Sequence, residues 1–155
     1  MAIDMGGSGL NGPSIRRAPD GAEAGPQGLS TTFRRETLRI AEARRVAAEY
    51  LAASQRGRDH ALPERTADAV QLVVSELITN AVKYGRGLIE LTLARTDDTL
   101  TVTVRDGGTT LPVTRPADPG RVGQHGLEIV AALSQAVEIR REASGKRVTA
   151  LIALR

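Results

Sequence analysis

Hydrophobic and polar positions along the chain change period several times, and each change marks an element. Between residues 36 and 54, Leu38, Ala41, Val46, Ala47 and Leu51 recur at roughly helical spacing, while Arg39, Glu42, Arg44, Arg45 and Glu49 lie mostly off that stripe. A helix over 36–54 is predicted, preceded by a short extended piece that holds Phe33. Gly57, His60 and Pro63 mark a connection, and a second helix is predicted over 64–84, with Pro63 suited to its first turn and Gly85 to its C-terminal end. After Gly87 the period falls to two. Ile89, Leu91 and Leu93, then Leu100, Val102 and Val104, alternate with polar neighbours, which predicts strands over 88–96 and 100–105 joined by a tight turn at Asp97-Asp98-Thr99. A short helix over 125–134 and two strands over 136–141 and 147–154, turned at Ser144-Gly145, complete the pattern. The class is α+β, a two-layer sandwich with helices on one face of a mixed, mostly antiparallel sheet.

Two stretches carry no period. Residues 1–29 hold seven of the 16 glycines and three of the seven prolines, which predicts a flexible tail ahead of an ordered domain over 30–155. Within the tail, Gly7-Ser8-Gly9-Leu10-Asn11-Gly12 spells GxGxxG, but no strand precedes it and Pro13 stands where a helix would begin, so it is read as chance. The second stretch, residues 106–124, is rich in glycine and proline; a loop of that length inside a compact domain is usually functional or disordered.

Composition narrows the choices. With 155 residues, 41% hydrophobic and 25% charged, the chain suits one soluble domain plus a tail. The lack of cysteine excludes disulfide scaffolds, zinc-cysteine sites and a cysteine nucleophile. No apolar run approaches a membrane span and no secretory signal is visible, so a cytoplasmic protein without membrane contact is expected. The net charge of +3 comes mostly from arginines interleaved with acids; without basic runs or aromatic stacking partners, direct nucleic-acid binding is not expected.

The chemistry-bearing candidates are few. No P-loop, HExxH or GxSxG motif occurs, and two histidines, His60 and His125, are too few for a histidine-rich metal site. On the second predicted helix, Glu76 and Asn80 stand one turn apart at the border of the apolar stripe. Together they could supply a general base and an oxygen ligand for magnesium, or they could be two solvated polar residues. Asp106-Gly107-Gly108 follows an apolar strand, where a carboxylate could accept from a ligand amino group with the backbone close by; a simple turn fits as well. Gly123-Gln124-His125-Gly126-Leu127 opens a helix whose free N–H groups could hold phosphates, or it is an ordinary helix start.

In order, ExxxN on a helix, a strand ending in DxG, a glycine-rich lid and GxxGLxIV resemble the GHKL ATP-binding fold of histidine kinases, Hsp90, gyrase and MutL, the Bergerat-type sandwich. The run from Val73 to Gly85, VVSELITNAVKYG, is most similar to anti-sigma factor serine/threonine kinases of actinobacterial type. The resemblance covers residues 30–155. It implies ATP and Mg2+ as cofactors, Asn80 on the metal that bridges the phosphates, and Glu76 as catalytic base toward an attacking hydroxyl. It further implies Asp106 and Gly108 at adenine, Gly123, Gly126 and Leu127 at the phosphates, and Arg121 in the lid at the terminal phosphate or a partner. The implied activity is sequestering a sigma factor and phosphorylating an anti-anti-sigma (STAS-type) protein, with a homodimer as a family expectation.

This chain departs from the family pattern at three places. Thr110 replaces the last glycine of DxGxG, and the second glycine box has one more residue between its glycines. Arg147 stands where many relatives have an adenine-holding threonine, with Thr149 on the same strand face two residues later as the substitute. Two rival readings follow: an ATP-dependent protein-binding module without phosphate transfer, and a detached histidine-kinase catalytic domain.

Overall fold

A computed structural model describes residues 3–4, 28–108 and 126–155. The elements run β1 (Ile3–Asp4), β2 (Gly28–Phe33), α1 (Ile40–Ser54), α2 (Glu64–Tyr84), β3 (Ile89–Arg95), β4 (Thr99–Asp106), α3 (Gly126–Leu133), β5 (Ala136–Glu142) and β6 (Gly145–Ala153). The strands form one sheet in the order β1-β5-β6-β4-β3-β2, antiparallel throughout except for the two-residue β1, which adds to β5 in parallel.

Strand alternation sets the two faces of this sheet. Ile89, Leu91, Leu93, Leu100, Val102, Val104, Val148, Ala150 and Ile152 are all buried, and they share one core with Val70, Val73, Val74, Leu77, Ile78 and Ala81 of α2. Burial of each such side chain contributes about 1.5–3 kcal/mol, so the pairing of α2 with this face dominates the fold's stability. The opposite face is polar. There Arg105 bridges Glu90 (3.1 Å) and Glu142 (3.2 Å), and Glu142 in turn holds Arg147 at 3.3 Å. Burial pushes the Arg147 guanidinium pKa down, and Glu142 partly opposes that shift.

Helix α2 keeps the boundaries its periodicity predicts, whereas α1 begins at Ile40 rather than residue 36. The missing turn has another task. Residues 35–37 form a turn closed on Arg34, with Leu38 N–H donating to its carbonyl at 3.0 Å, and the Arg35 guanidinium donates to the carbonyls of Ala81 and Val82 (2.8 Å to Val82). The Ala81 carbonyl also accepts from Gly85 N–H at 3.0 Å, whereas that of Val82 ends α2 without a helical partner, so the arginine caps that helix from outside. The ends of the predicted tail also differ from expectation: Ile3–Asp4 pairs with Val137 and Glu138, and β2 begins at Gly28. The GxGxxG sequence at 7–12 lies outside the described residues.

Candidate functional site

Helix α2 carries two of the residues that matter. Its buried stripe turns Glu76 and Asn80 to the border of the core, both half-buried. Asn80 has no hydrogen-bond partner among the described residues, so its carboxamide is free to take a ligand. Glu76 meets the first residue of α3: a Cβ on Gly126 would overlap Glu76 Oε1 and lie 3.4 Å from its carboxyl carbon. Only a glycine there lets the α3 N-terminus come this near the carboxylate. The N–H groups of a first helical turn carry partial positive charge, so the place suits negative charge on a ligand as well as on Glu76.

Asp106 ends β4 on the core side and is buried. Its Oδ1 accepts from Gly108 N–H at 2.6 Å and, more weakly, from Arg86 N–H at 3.4 Å. Lys146, its register partner on β6, brings Nζ to 3.0 Å from Oδ2 and 3.2 Å from Oδ1, and the two side chains are only 3% and 2% exposed. Glycine backbone packs around this pair. A Cβ at Gly85, just past α2, would lie 2.5 and 2.6 Å from the two carboxylate oxygens, and one at Gly145 would overlap the Asp106 carbonyl. Gly85 is therefore required by space: its φ of −98° is one that any residue adopts.

The expected residues separate into three groups. Glu76, Asn80 and Gly126 gather at the middle of α2, Asp106 and Gly108 lie at its C-terminal end, and Leu127 is buried in the core at the start of α3. Thr149 is not among them. It pairs with Thr103 (Oγ1 to Oγ1, 3.4 Å) on the polar face, and Arg147 points the same way. The residue on the Asp106 side is Lys146. The alternation of Val148, Ala150, Ile152 and Leu154 already carries that parity, because even positions of β6 face the helices. Arg121, Gly123 and His125 lie outside the described residues. A cavity of about 490 Å³ lined by residues including Arg58, Arg95 and Arg155 stands at the other end of the sheet, about 20 Å along β4 from Asp106. Among the described residues no group of three or more His, Asp or Glu could hold a metal, and no helix is long and apolar enough to cross a membrane.

A sheet covered on one face by helices, an ExxxN pair on the central helix and a buried aspartate closing the neighbouring strand define the GHKL class of ATPase fold. A model of the histidine kinase-like ATPase domain matches residues 33–152, and the chain belongs to that family. Among solved structures it is similar to the RsbU and RsbW domains of Rv1364c from Mycobacterium tuberculosis, at 20% identity and a TM-score of 0.59. That match covers 82% of this chain and 32% of the other, so the likeness is one of fold and the chain spans about a third of that neighbour's length. No curated protein matches it.

Proposed function

We propose that the chain is an ATP-binding anti-sigma regulatory factor with protein serine/threonine kinase activity. In this reading it sequesters a sigma factor and phosphorylates a serine of an anti-anti-sigma (STAS-type) protein, acting as a homodimer in the cytoplasm. The observation that carries the reading is the approach of Glu76 to the start of α3, with Asn80, which has no hydrogen-bond partner among the described residues, one turn away. The named RsbW domain of the similar structure supports the regulatory role.

The residues at the middle of α2 fit the phosphate end of a nucleotide. Asn80 offers an oxygen to Mg2+, which takes one or two protein oxygens beside phosphate and water, and so needs no acidic cluster. Gly126 leaves the α3 N-terminus open to phosphate oxygens. With its metal, ATP would supply the γ-phosphoryl group, the bond to the departing ADP breaking, and Glu76 would take the proton of the partner's seryl hydroxyl as that oxygen bonds the phosphorus. Such transfer asks mainly for positioning and charge neutralisation. The base end fits less well, because both oxygens of Asp106 are already engaged by Lys146. The departures of this chain from the family's glycine boxes favour, as a second reading, an ATP-dependent binding module that transfers no phosphate.

Incubation with γ-labelled ATP and candidate STAS proteins tests the first reading. Acid-stable label on a partner serine is expected, and Glu76→Gln should lower transfer by about 10²–10⁴-fold while ATP binding persists. Undiminished transfer in that variant refutes the role of Glu76. Nucleotide-dependent capture of a partner without labelled product supports the second reading, and acid-labile label points to histidine phosphorylation instead.

A further inference from the structure

Lys146 is one of only two lysines among 21 basic residues, and it is buried where a basic side chain is least expected. The strand itself does not call for a cation there, since the neighbours that follow it inward on β6 are Val148, Ala150 and Ile152, and its one charged partner among the described residues is Asp106. Its position is nevertheless tightly set. Gly145, at φ +151°, packs so near β4 that a Cβ would lie 2.6 Å from Gly107 Cα, which fixes the turn directly before Lys146. Sheet register then places Lys146 opposite Asp106. Gly85, Gly108 and Gly145 bring backbone against Asp106, and the ammonium takes the approach to both carboxylate oxygens.

We propose that Lys146 is an intramolecular occupant of the base-binding position, a tethered ammonium that makes the contact a purine's exocyclic amine would make. This inference rests on the reading of Asp106 as the residue that accepts from the base. An ammonium on a carboxylate adds the attraction of a full opposite charge to its hydrogen bond, whereas a neutral base amine offers the same carboxylate a hydrogen bond alone, so a base amine competes at a disadvantage. A lysine on a flexible four-carbon stem can leave the carboxylate and return its charge to water, which a planar arginine fork fixed on both oxygens does less readily. Nucleotide binding therefore requires Lys146 to swing out, and Lys146 sets the affinity low. The ligand class is a purine nucleoside triphosphate that carries an exocyclic amine on its base.

Calorimetric titration of the full chain with Mg-ATP, for wild type, Lys146→Thr and Lys146→Gln, tests this. Lys146→Thr is expected to bind at least tenfold more tightly than wild type. Should it fail to fold, Lys146→Gln, which keeps a neutral donor for Asp106, is expected to bind several-fold more tightly. A second readout uses the other lysine as an internal reference: exposed Lys83 should react with an amine-acetylating reagent with or without nucleotide, and Lys146 only when Mg-ATP is present. If wild type binds ATP while the folded variants bind equally or more weakly, or Lys146 stays protected in the complex, the inference is overturned and the ATP-binding reading stands. If none of the three proteins binds ATP, both are overturned.

Discussion

Replacing Gly85 by alanine separates two reasons for a glycine after a helix. At φ −98° and ψ −167° alanine suffers no backbone strain. Its Cβ, however, would lie 2.5 and 2.6 Å from the Asp106 oxygens, well inside van der Waals contact. The carboxylate cannot simply turn away, since Gly108 N–H at 2.6 Å and Lys146 Nζ at 3.0 Å hold it. Relief comes either from lifting the end of α2, which strains the Gly85 N–H bond to Ala81 and the Arg35 cap, or from pulling Asp106 off Lys146. Overpacking a well-filled site costs about 1–3 kcal/mol and separating a buried ion pair about 3–5, so Gly85→Ala should cost about 3 kcal/mol. Gly87→Ala is the control: φ is +71° with nothing within 4 Å of a Cβ, so only the left-handed conformation is penalised, by about 1–2 kcal/mol. In urea titrations with slopes of about 1–3 kcal/mol/M, the Gly85 variant should lose about 1–3 M of midpoint and the Gly87 variant clearly less. A Gly85→Ala midpoint equal to or above that of Gly87→Ala refutes the close approach to Asp106.

Gly126→Ala should leave stability within about 1 kcal/mol, because its Cβ meets only the end of the Glu76 side chain and alanine favours the helix. Phosphoryl transfer should nevertheless fall by about 10²-fold as the carboxylate is displaced, and unchanged transfer refutes its placement. Tyr50 predicts an alkaline effect. Burial raises its pKa above 10.0, against smaller opposing effects led by the hydrogen bond from Arg95 N–H at 3.0 Å. The folded state thus holds the phenolic proton longer than the unfolded one, and this contribution to stability is complete below pH 10.0 and lost as pH rises through the shifted value. Denaturation midpoints should fall more steeply above pH 10.0 for wild type than for Tyr50→Phe, and parallel curves count against it.

Much of the fold was legible because the core-facing elements carry clean periods. The stripe Val70, Val74, Leu77 and Ala81 defined α2, and Ile89, Leu91 and Leu93 defined β3, since burial on one face imposes the period directly. The predicted α1 is one turn too long because Glu36, Thr37, Leu38 and Arg39 are helix-compatible by sequence. The contact that takes Arg35 to the end of α2 joins residues 46 positions apart, which no local pattern reports. β1 escaped for a similar reason, since two residues carry no period and their partner is β5. At the candidate site, ExxxN and DxG identified Glu76, Asn80 and Asp106 as the residues to examine. Thr149 is expected with them because it shares a strand face with Arg147, at the family's threonine position, but strand parity turns that face to the polar side and turns Lys146 inward. That signal was present in the sequence. The need for glycine at 85 and 126 was not, because it arises from side chains 21 and 50 residues away.

Glu76 and Asn80 stand on a single rigid rod, and Gly85 follows directly on its last residue, Tyr84. From Glu76 to Tyr84 the rise along α2 is about 12 Å, fixed by helix pitch. The separation between the carboxylate beside α3 and the buried pair of Asp106 and Lys146 is therefore measured out by one secondary-structure element.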